Sequence, residues 1–528
     1  MRIKFVHFII LLLSLVFFVS ASDDEQQYEP ADNICEKCNC TSTNETSENG
    51  ESGTIFTIDC SLKDFQHIFA KWPESMGDNH NEIIYIMSFN NLNNLQQMPS
   101  TDAVLFFTCR HCKISNFANA AFIDSPNIHS LDLSYNKITS ESLNPDIFRG
   151  PQSDDNEYAS IKLTNLDLSH NSITFLDEKL FEHTPQLKNL DLSYNELKNI
   201  DEGTGVAISK LHELETLYLS HTGISDLPNS IFEKMNHLSE LILSGNQFKI
   251  IPSSLSTLTH LKLLHLSENF IEEITHESFN GLKDLKTLNI SKMSELREIK
   301  DGAFKELHSL EVLICSGNKK LNSLYLADIL KIEHLKVFDI SHNNLTTLNF
   351  GEIEEVDKSL NSSKIEREKF FKNLHTLKLE GNPWHCDCKI MKSLEFFNHN
   401  ATYFKRALNS DEARCETPFD LLSKLLYDLQ SQSIYDLSSN FYCSDQKPKP
   451  MKIPVYDPPQ FLRPKSVMLT VFAVVAVVIV GIIIGFIIVC IKRRLKANEY
   501  SNNSNPIRYT AVRDSTVSNI ANIPYQQP

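Results

Sequence analysis

Apolar and polar positions alternate in a short block that recurs along the chain. Its clearest copy is residues 163–173, LTNLDLSHNSI, in which Leu163, Leu166, Leu168 and Ile173 are apolar, Asn171 holds a fixed place, and the positions between are small or polar. Leu166 and Leu168 flank Asp167, so the spacing predicts a short strand with one buried and one wet face. Beyond the strand the chain turns a corner, and Asn171 can satisfy backbone groups buried there. One block cannot bury its own leucines, whereas copies stacked on one another can. With the Asn place counted as zero, the copies fall at Asn90, Cys112, Asn136, Asn171, Asn195, Thr222, Asn246, Asn269, Met293, Asn318, Asn343 and Asn382. The steps between them are 22 to 27 residues, except for 35 before Asn171 and 39 before Asn382.

A series containing IHSLDLSYNKI, LKNLDLSYNEL and LSELILSGNQF resembles leucine-rich repeats. The resemblance implies an α/β solenoid, a horseshoe with a parallel concave β-sheet, over residues 63–382 in about twelve repeats. Cys35, Cys38, Cys40 and Cys60 precede the array, and Cys386, Cys388, Cys415 and Cys443 follow it. They resemble the cysteine-rich caps of extracellular repeat proteins, here residues 22–62 and 383–445, which cover the open ends of a solenoid. Each cluster of four allows three connectivities. The resemblance implies Cys35 with Cys40, Cys38 with Cys60, Cys386 with Cys415, and Cys388 with Cys443. The spacings C-x-x-C-x-C and H-C-x-C also suit zinc, but an oxidising location favours disulfides. Cys109 and Cys315 fall on buried leucine positions and Cys112 on an Asn position. They are expected as free core thiols, with Cys109–Cys112 pairing as the alternative if the corner brings them together.

Two further apolar runs change the picture. Residues 1–21 combine Arg2 and Lys4, an apolar stretch and the small residues Val19-Ser20-Ala21, the pattern of a secretory signal peptide. Residues 466–491 contain an uncharged run from Val467 to Cys490, long enough for one transmembrane helix, followed by Lys492, Arg493, Arg494 and Lys496. The positive-inside rule puts the C-terminus in the cytoplasm and the repeats outside, a type I plasma-membrane topology. The net charge of −17 argues against nucleic acid as a partner. The leader carries +2 and the segment from Ile491 +4, which leaves −23 between them.

Phe122, Phe181, Phe232 and Phe279 recur ten residues after position zero and are expected as a core spine on the convex side. Residues 147–160 and 350–369 are polar insertions, expected as loops. Residues 446–465 hold six prolines and read as an extended stalk. Sequons for N-glycosylation stand at Asn39, Asn44, Asn289, Asn344, Asn361 and Asn400. In the tail, residues 492–528, Tyr509 and Val512 form a string resembling a tyrosine-based sorting signal, and Cys490 is a candidate for palmitoylation. Gly481 and Gly485 have the spacing through which two membrane helices approach closely, so a homodimer is one expectation. The tail is too short for the signalling domain of Toll receptors.

No P-loop, G-x-S-x-G or H-E-x-x-H occurs, and no enzymatic activity, cofactor or metal is expected. Binding is, on the outward positions of the concave sheet, taken as −6, −4 and −2. Serine recurs at −2 and is read as a small corner residue bonding to backbone. The early repeats carry Asp132, Asp167 and Asp191 at −4 with Tyr135, His170 and Tyr194 at −1; Tyr218 follows. This acidic and aromatic strip is the candidate ligand-binding surface. Later repeats place Ile242, Leu263, Val312, Ile314 and Val337 on the same face, with Asn289 in a sequon among them. The expected role is recognition of an extracellular or cell-surface protein, in adhesion. The alternatives are a ligand-binding signalling receptor or co-receptor, including one of innate defence, and a shed binding protein.

Overall fold

In each repeat a few residues are extended, the apolar ones buried and those beside them turned outward. Asn165, Leu166 and Asp167 show this alternation, as do Asn189, Leu190 and Asp191. The computed structural model describes residues 34–46, 52–73, 76, 81–152, 158–325, 329–348, 372–386, 390 and 413–417. The chain divides into two compact units, Met1–Ser444 and Asp445–Pro528, and every described residue lies in the first.

Fourteen strands form one sheet in simple chain order. The segment before the repeats contributes β1 (Asn39–Thr46) and β2 (Ser52–Asp59), an antiparallel pair. The repeats contribute β3 (Glu82–Ile86), β4 (Val104–Thr108), β5 (Ile128–Asp132), β6 (Asn165–Asp167), β7 (Asn189–Asp191), β8 (Thr216–Tyr218) and β9 (Glu240–Ile242). They continue with β10 (Leu263–His265), β11 (Thr287–Asn289), β12 (Val312–Ile314), β13 (Val337–Asp339) and β14 (Thr376–Lys378). From β2 onward every pairing is parallel. The twelve repeat strands are those that carry a position zero, and the chain makes about eleven stacked coils between them. The core is one continuous column of the repeat leucines, closed behind by Phe122, Phe181, Phe232 and Phe279. Phe148 and Phe304 extend that spine, stacked at 6.2 Å on Phe122 and 6.0 Å on Phe279.

Each corner is held by its asparagine. The amide nitrogen of Asn195 donates to the carbonyls of Leu192 in its own coil and Leu168 in the coil before, both at 2.9 Å. Its Oδ1 accepts from the backbone N–H of Ile173, also at 2.9 Å. The same pattern recurs at Asn136, Asn246 and Asn269. Thr222 substitutes with its hydroxyl on the Leu219 carbonyl at 2.9 Å.

Three expectations need correction, and one element was not expected. Cys109 and Cys112 are not free thiols: the corner brings their Cα atoms to 5.7 Å and they form a disulfide. The serines at −2 do not face outward with −6 and −4. The strands end at −4, and Ser134, Ser169 and Ser193 have turned the corner and are buried. The described parts of the insertion at 147–160 are not irregular. Ile147 and Phe148 belong to the core, and Arg149–Gln152 pairs antiparallel with Tyr158–Ser160. The Arg149 guanidinium lies 4.0 Å from the Tyr158 ring centroid, and Gly150 lets the two backbones approach: a Cβ there would meet the Ala159 carbonyl at 2.6 Å. Finally, the step of 27 residues before Thr222 hides a helix, Glu202–Ser209, capped by Asp201 accepting from the Thr204 N–H at 2.8 Å.

Before and after the repeats, disulfides join Cys35 to Cys40, Cys38 to Cys60 and Cys386 to Cys415, which removes those thiolates as zinc ligands. Cys388 and Cys443 lie outside the described residues, as do the signal peptide, the insertion at 350–369, the stalk, the apolar run at 466–491 and the tail. Among the described residues no helix is long and apolar enough to cross a membrane. Cys315 is a buried free thiol, and burial pushes its pKa up to about 12, so it stays protonated.

Asn195→Ala would strip partners from three backbone groups inside the stack, each costing about 1–3 kcal/mol when left unpaired. The expected loss is on the order of 3 kcal/mol or more, read from urea unfolding. Thr222→Ala, which removes one hydroxyl donor, should cost clearly less. Equal losses would mean the asparagine does not carry the corner.

Candidate functional site

The parallel register brings equivalent positions of successive repeats side by side without a slip from β5 to β14. Asp132, Asp167 and Asp191 are direct neighbours in this register, followed by Tyr218, Ile242, His265, Asn289 and Ile314. The parallel row at −6 runs Ser130, Asn165, Asn189, Thr216, Glu240, Leu263, Thr287, Val312 and Val337. Each early aspartate turns one oxygen back on its own corner. The N–H groups of Ser134, Ser169 and Ser193 donate to Asp132, Asp167 and Asp191 at 3.1, 2.9 and 2.8 Å. Asp132 also pairs with Arg110, one coil earlier.

Beside this row stands a column of rings. Phe89, His111, Tyr135, His170, Tyr194 and His221 all occupy −1, and each ring stacks on the next with centroids 4.8, 4.5, 3.9, 4.0 and 4.5 Å apart. The column ends at Gly245, where a Cβ would fall 2.2 Å from the His221 ring. All six ring residues have positive φ, from 53° to 61°, because the corner demands the left-handed region. Gly245, Gly317 and Gly381 meet that demand without strain, whereas the six rings, like Glu268, Lys292 and His342 in later coils, accept a strain of roughly 1–3 kcal/mol per position. Stacking returns about 0.5–1.5 kcal/mol per contact. The faces are thereby occupied, while the ring edges stay accessible: Phe89, Tyr135 and Tyr194 are 53, 43 and 46 % exposed.

Burial lifts the carboxyls of Asp167 and Asp191 above the ordinary aspartate value, against the pull of their serine hydrogen bonds. Burial first, with the nearby His111 and His221, lowers His170, while Asp167 pulls the other way. Tyr218, half-buried beside Glu240 and Asp191, is raised, chiefly by burial. Chemically the strip offers carboxylates, phenol hydroxyls and imidazole edges on an open sheet. It suits hydrogen bonding and cationic groups on a broad partner, and it brings no nucleophile and base together. Among the described residues no group of three or more His, Cys, Asp or Glu side chains could hold a metal.

The structure thus assembles Asp132, Tyr135, Asp167, His170, Asp191, Tyr194 and Tyr218 on one surface. Sequence reasoning missed Phe89, His111 and His221 as rungs of the same column, and Arg110 as the counter-ion of Asp132. The signal was available in the rings at −1 of six consecutive repeats. Asn39, Asn44 and Asn344 are exposed, and Asn289 is half-buried on the concave face. Asn361, Asn400, Gly481, Gly485, Cys490, Tyr509 and Val512 lie outside the described residues.

The leucine rich repeat family model matches residues 161–215, 212–269 and 259–319, and a second leucine rich repeat model matches 124–143. These segments are leucine-rich repeats. Among particular proteins, the chain is 33% identical over 88 residues to Tsukushi of Gallus gallus, covering 17% of this chain and 24% of that one. It is 25% identical over 167 residues to nephrocan of Mus musculus, covering 28% and 30%. The chain therefore spans less than a third of the length of these curated relatives. In the crystal structure of the mouse RP105/MD-1 complex, a chain is 19% identical with a TM-score of 0.47, over 66% of this chain and 54% of that chain.

His170 is held below its ordinary value of 6.5 in the folded protein, so protonation favours the unfolded chain. Its contribution is full above about pH 6.5 and is lost as pH falls through the folded value. Asp167 and Asp191, raised, act in reverse and reach their full contribution only below the ordinary value of 3.8. His170→Gln should therefore shrink the drop in thermal midpoint between about pH 7.5 and 5. An unchanged drop would place the titration elsewhere.

Proposed function

We propose that the chain is a type I, single-pass cell-surface glycoprotein whose repeat ectodomain binds another protein, in adhesion or cell recognition. The observation that carries the recognition site is the six-ring column beside Asp132, Asp167 and Asp191, where exposed aromatic edges and carboxylates share one face. Rings in a conformation that glycine meets without strain are retained where their edges reach solvent. The acid row and the charge of −17 favour a partner presenting Arg or Lys to that face. Support for the membrane topology comes from the apolar run before Lys492, Arg493 and Arg494. The partner is an extracellular or cell-surface protein, and no catalytic step is assigned.

An unbiased ectodomain pull-down against extracellular proteins supplies the partner. Against it, reversing Asp132, Asp167 and Asp191 to Lys should weaken binding by about tenfold or more, with Glu277→Lys, far along the chain, as the neutral control. Binding that survives the triple reversal would remove this face from the site. Cells expressing a chain without residues 498–528 should still aggregate with partner cells. Binding retained but a cellular response lost would instead favour the signalling receptor.

A further inference from the structure

In the second half of the sheet's outward face, aliphatic side chains stand among polar ones, where the first half is acidic and aromatic. Leu263, Val312 and Val337 at −6 and Ile242 and Ile314 at −4 are all half-exposed on it. Asn289 sits in their midst: it pairs in register with His265 on one side and Ile314 on the other, and Thr287, two residues earlier, pairs with Leu263 and Val312. Asn289-Ile290-Ser291 is a sequon.

The hydrogen bonding of Asn289 sets the direction in which anything attached to it would leave. Its Oδ1 accepts from the Ser291 N–H at 3.1 Å and from the Ser291 hydroxyl at 2.7 Å. Ser291 lies on the C-terminal side, at the corner. In a planar amide the nitrogen points away from the oxygen, so Nδ2 is turned away from Ser291, and Thr287, two residues back on the same face, pairs with Leu263 and Val312. Neighbouring strands are about 4.8 Å apart, so both side chains border the first sugar of a glycan starting there. The exposed sequons Asn39, Asn44 and Asn344 have no such apolar surround in the register of this sheet.

We propose that Asn289 carries an N-linked glycan and that its first N-acetylglucosamine lies over Leu263, Val312 and Ile314, covering these aliphatic side chains. In the attachment step Nδ2 bonds to C1 of the sugar, the bond from C1 to the pyrophosphate oxygen of a lipid-linked oligosaccharide donor breaks, and the amide loses one proton as the lipid pyrophosphate leaves. The acceptor is the chain before it folds, since the folded corner engages both Asn289 and Ser291. The carbon-hydrogen face of the pyranose then takes the place of water over the aliphatic side chains, and its bulk keeps protein partners from this stretch of the arc.

The full chain expressed in glycosylating eukaryotic cells tests this. Glycopeptide mass spectrometry should find Asn289 occupied. Hydroxyl-radical footprinting should oxidise Leu263, Val312 and Ile314 severalfold more slowly in the wild type and in Ser291→Thr, which keeps the sequon, than in Asn289→Gln. Leu62 and Ile250, 75 and 72 % exposed, should not change. If Asn289→Gln fails to fold, enzymatic release of the glycan from the folded wild type gives the same comparison. An unmodified Asn289 overturns the proposal, and so does an occupied one with no protection of the three aliphatic residues.

Discussion

Everything in this solenoid depends on how the chain turns after each strand. A corner repeated every 22 to 27 residues carries backbone groups into a dry interior, where an unpaired N–H or carbonyl is costly. The asparagine at position zero answers this twice over, bonding its own corner and the coil before it. That bridging makes the coils cooperative, because no repeat satisfies its corner alone. It also holds the register, since a coil shifted along the stack would lose both the leucine packing and the amide bonds. The points where asparagine is missing use other chemistry: a hydroxyl at Thr222, a disulfide at Cys112, and at Met293 only an N–H donated to Asn318 at 2.7 Å.

The proposed recognition surface is a by-product of the same corner. Because the turn forces position −1 into the left-handed region in every coil, side chains there leave the backbone at one fixed angle and fall into contact with their counterparts one repeat away. Rings in six successive coils must then stack, and one glycine suffices to end the column. Likewise the aspartates at −4 serve the corner with one oxygen, and for Asp132 the second oxygen is engaged by Arg110. Recognition and scaffold share atoms, so a substitution at Asp167 touches both the face a partner would meet and the N–H of Ser169 beneath it.

Much of this was legible in residue order, and the division follows the range of each interaction. Leucines and asparagines answer a requirement that each repeat imposes on itself, so their places could be read from one block such as residues 163–173. The ring column is different in kind. His170 meets Tyr135 across 35 residues and Tyr194 across 24, so the contact exists only once the register is locked through the whole stack. The choice between free thiols and a Cys109–Cys112 disulfide, and the inward turn of Ser169, were left open for a nearer reason. Both depend on how sharply the strand ends after −4, and alternation of hydrophobicity does not encode that. The hairpin flanking residues 153–157 was obscured by composition, because polar residues in an insertion carry no alternating core signal.

The concave face is therefore two surfaces on one scaffold, and the boundary between them has a physical basis. Up to His221 the −1 position builds a continuous wall of rings, and the adjacent row is acidic. From Gly245 onward the wall is gone, and Leu263, Val312, Ile314 and Val337 enter the outward rows among His265, Thr287 and Asn289. A protein partner that needs carboxylates and ring edges finds them only in the N-terminal half. An apolar sheet face that met water directly would instead favour association with whatever apolar surface came first. The glycan proposed at Asn289 would resolve that conflict locally, since a covalent bond needs no affinity to hold it in place. The same strand geometry that aligns Asp132, Asp167 and Asp191 for recognition thus aligns Leu263, Val312 and Ile314 for concealment, and the choice between the two is written in the residues at −6, −4 and −1 of each coil.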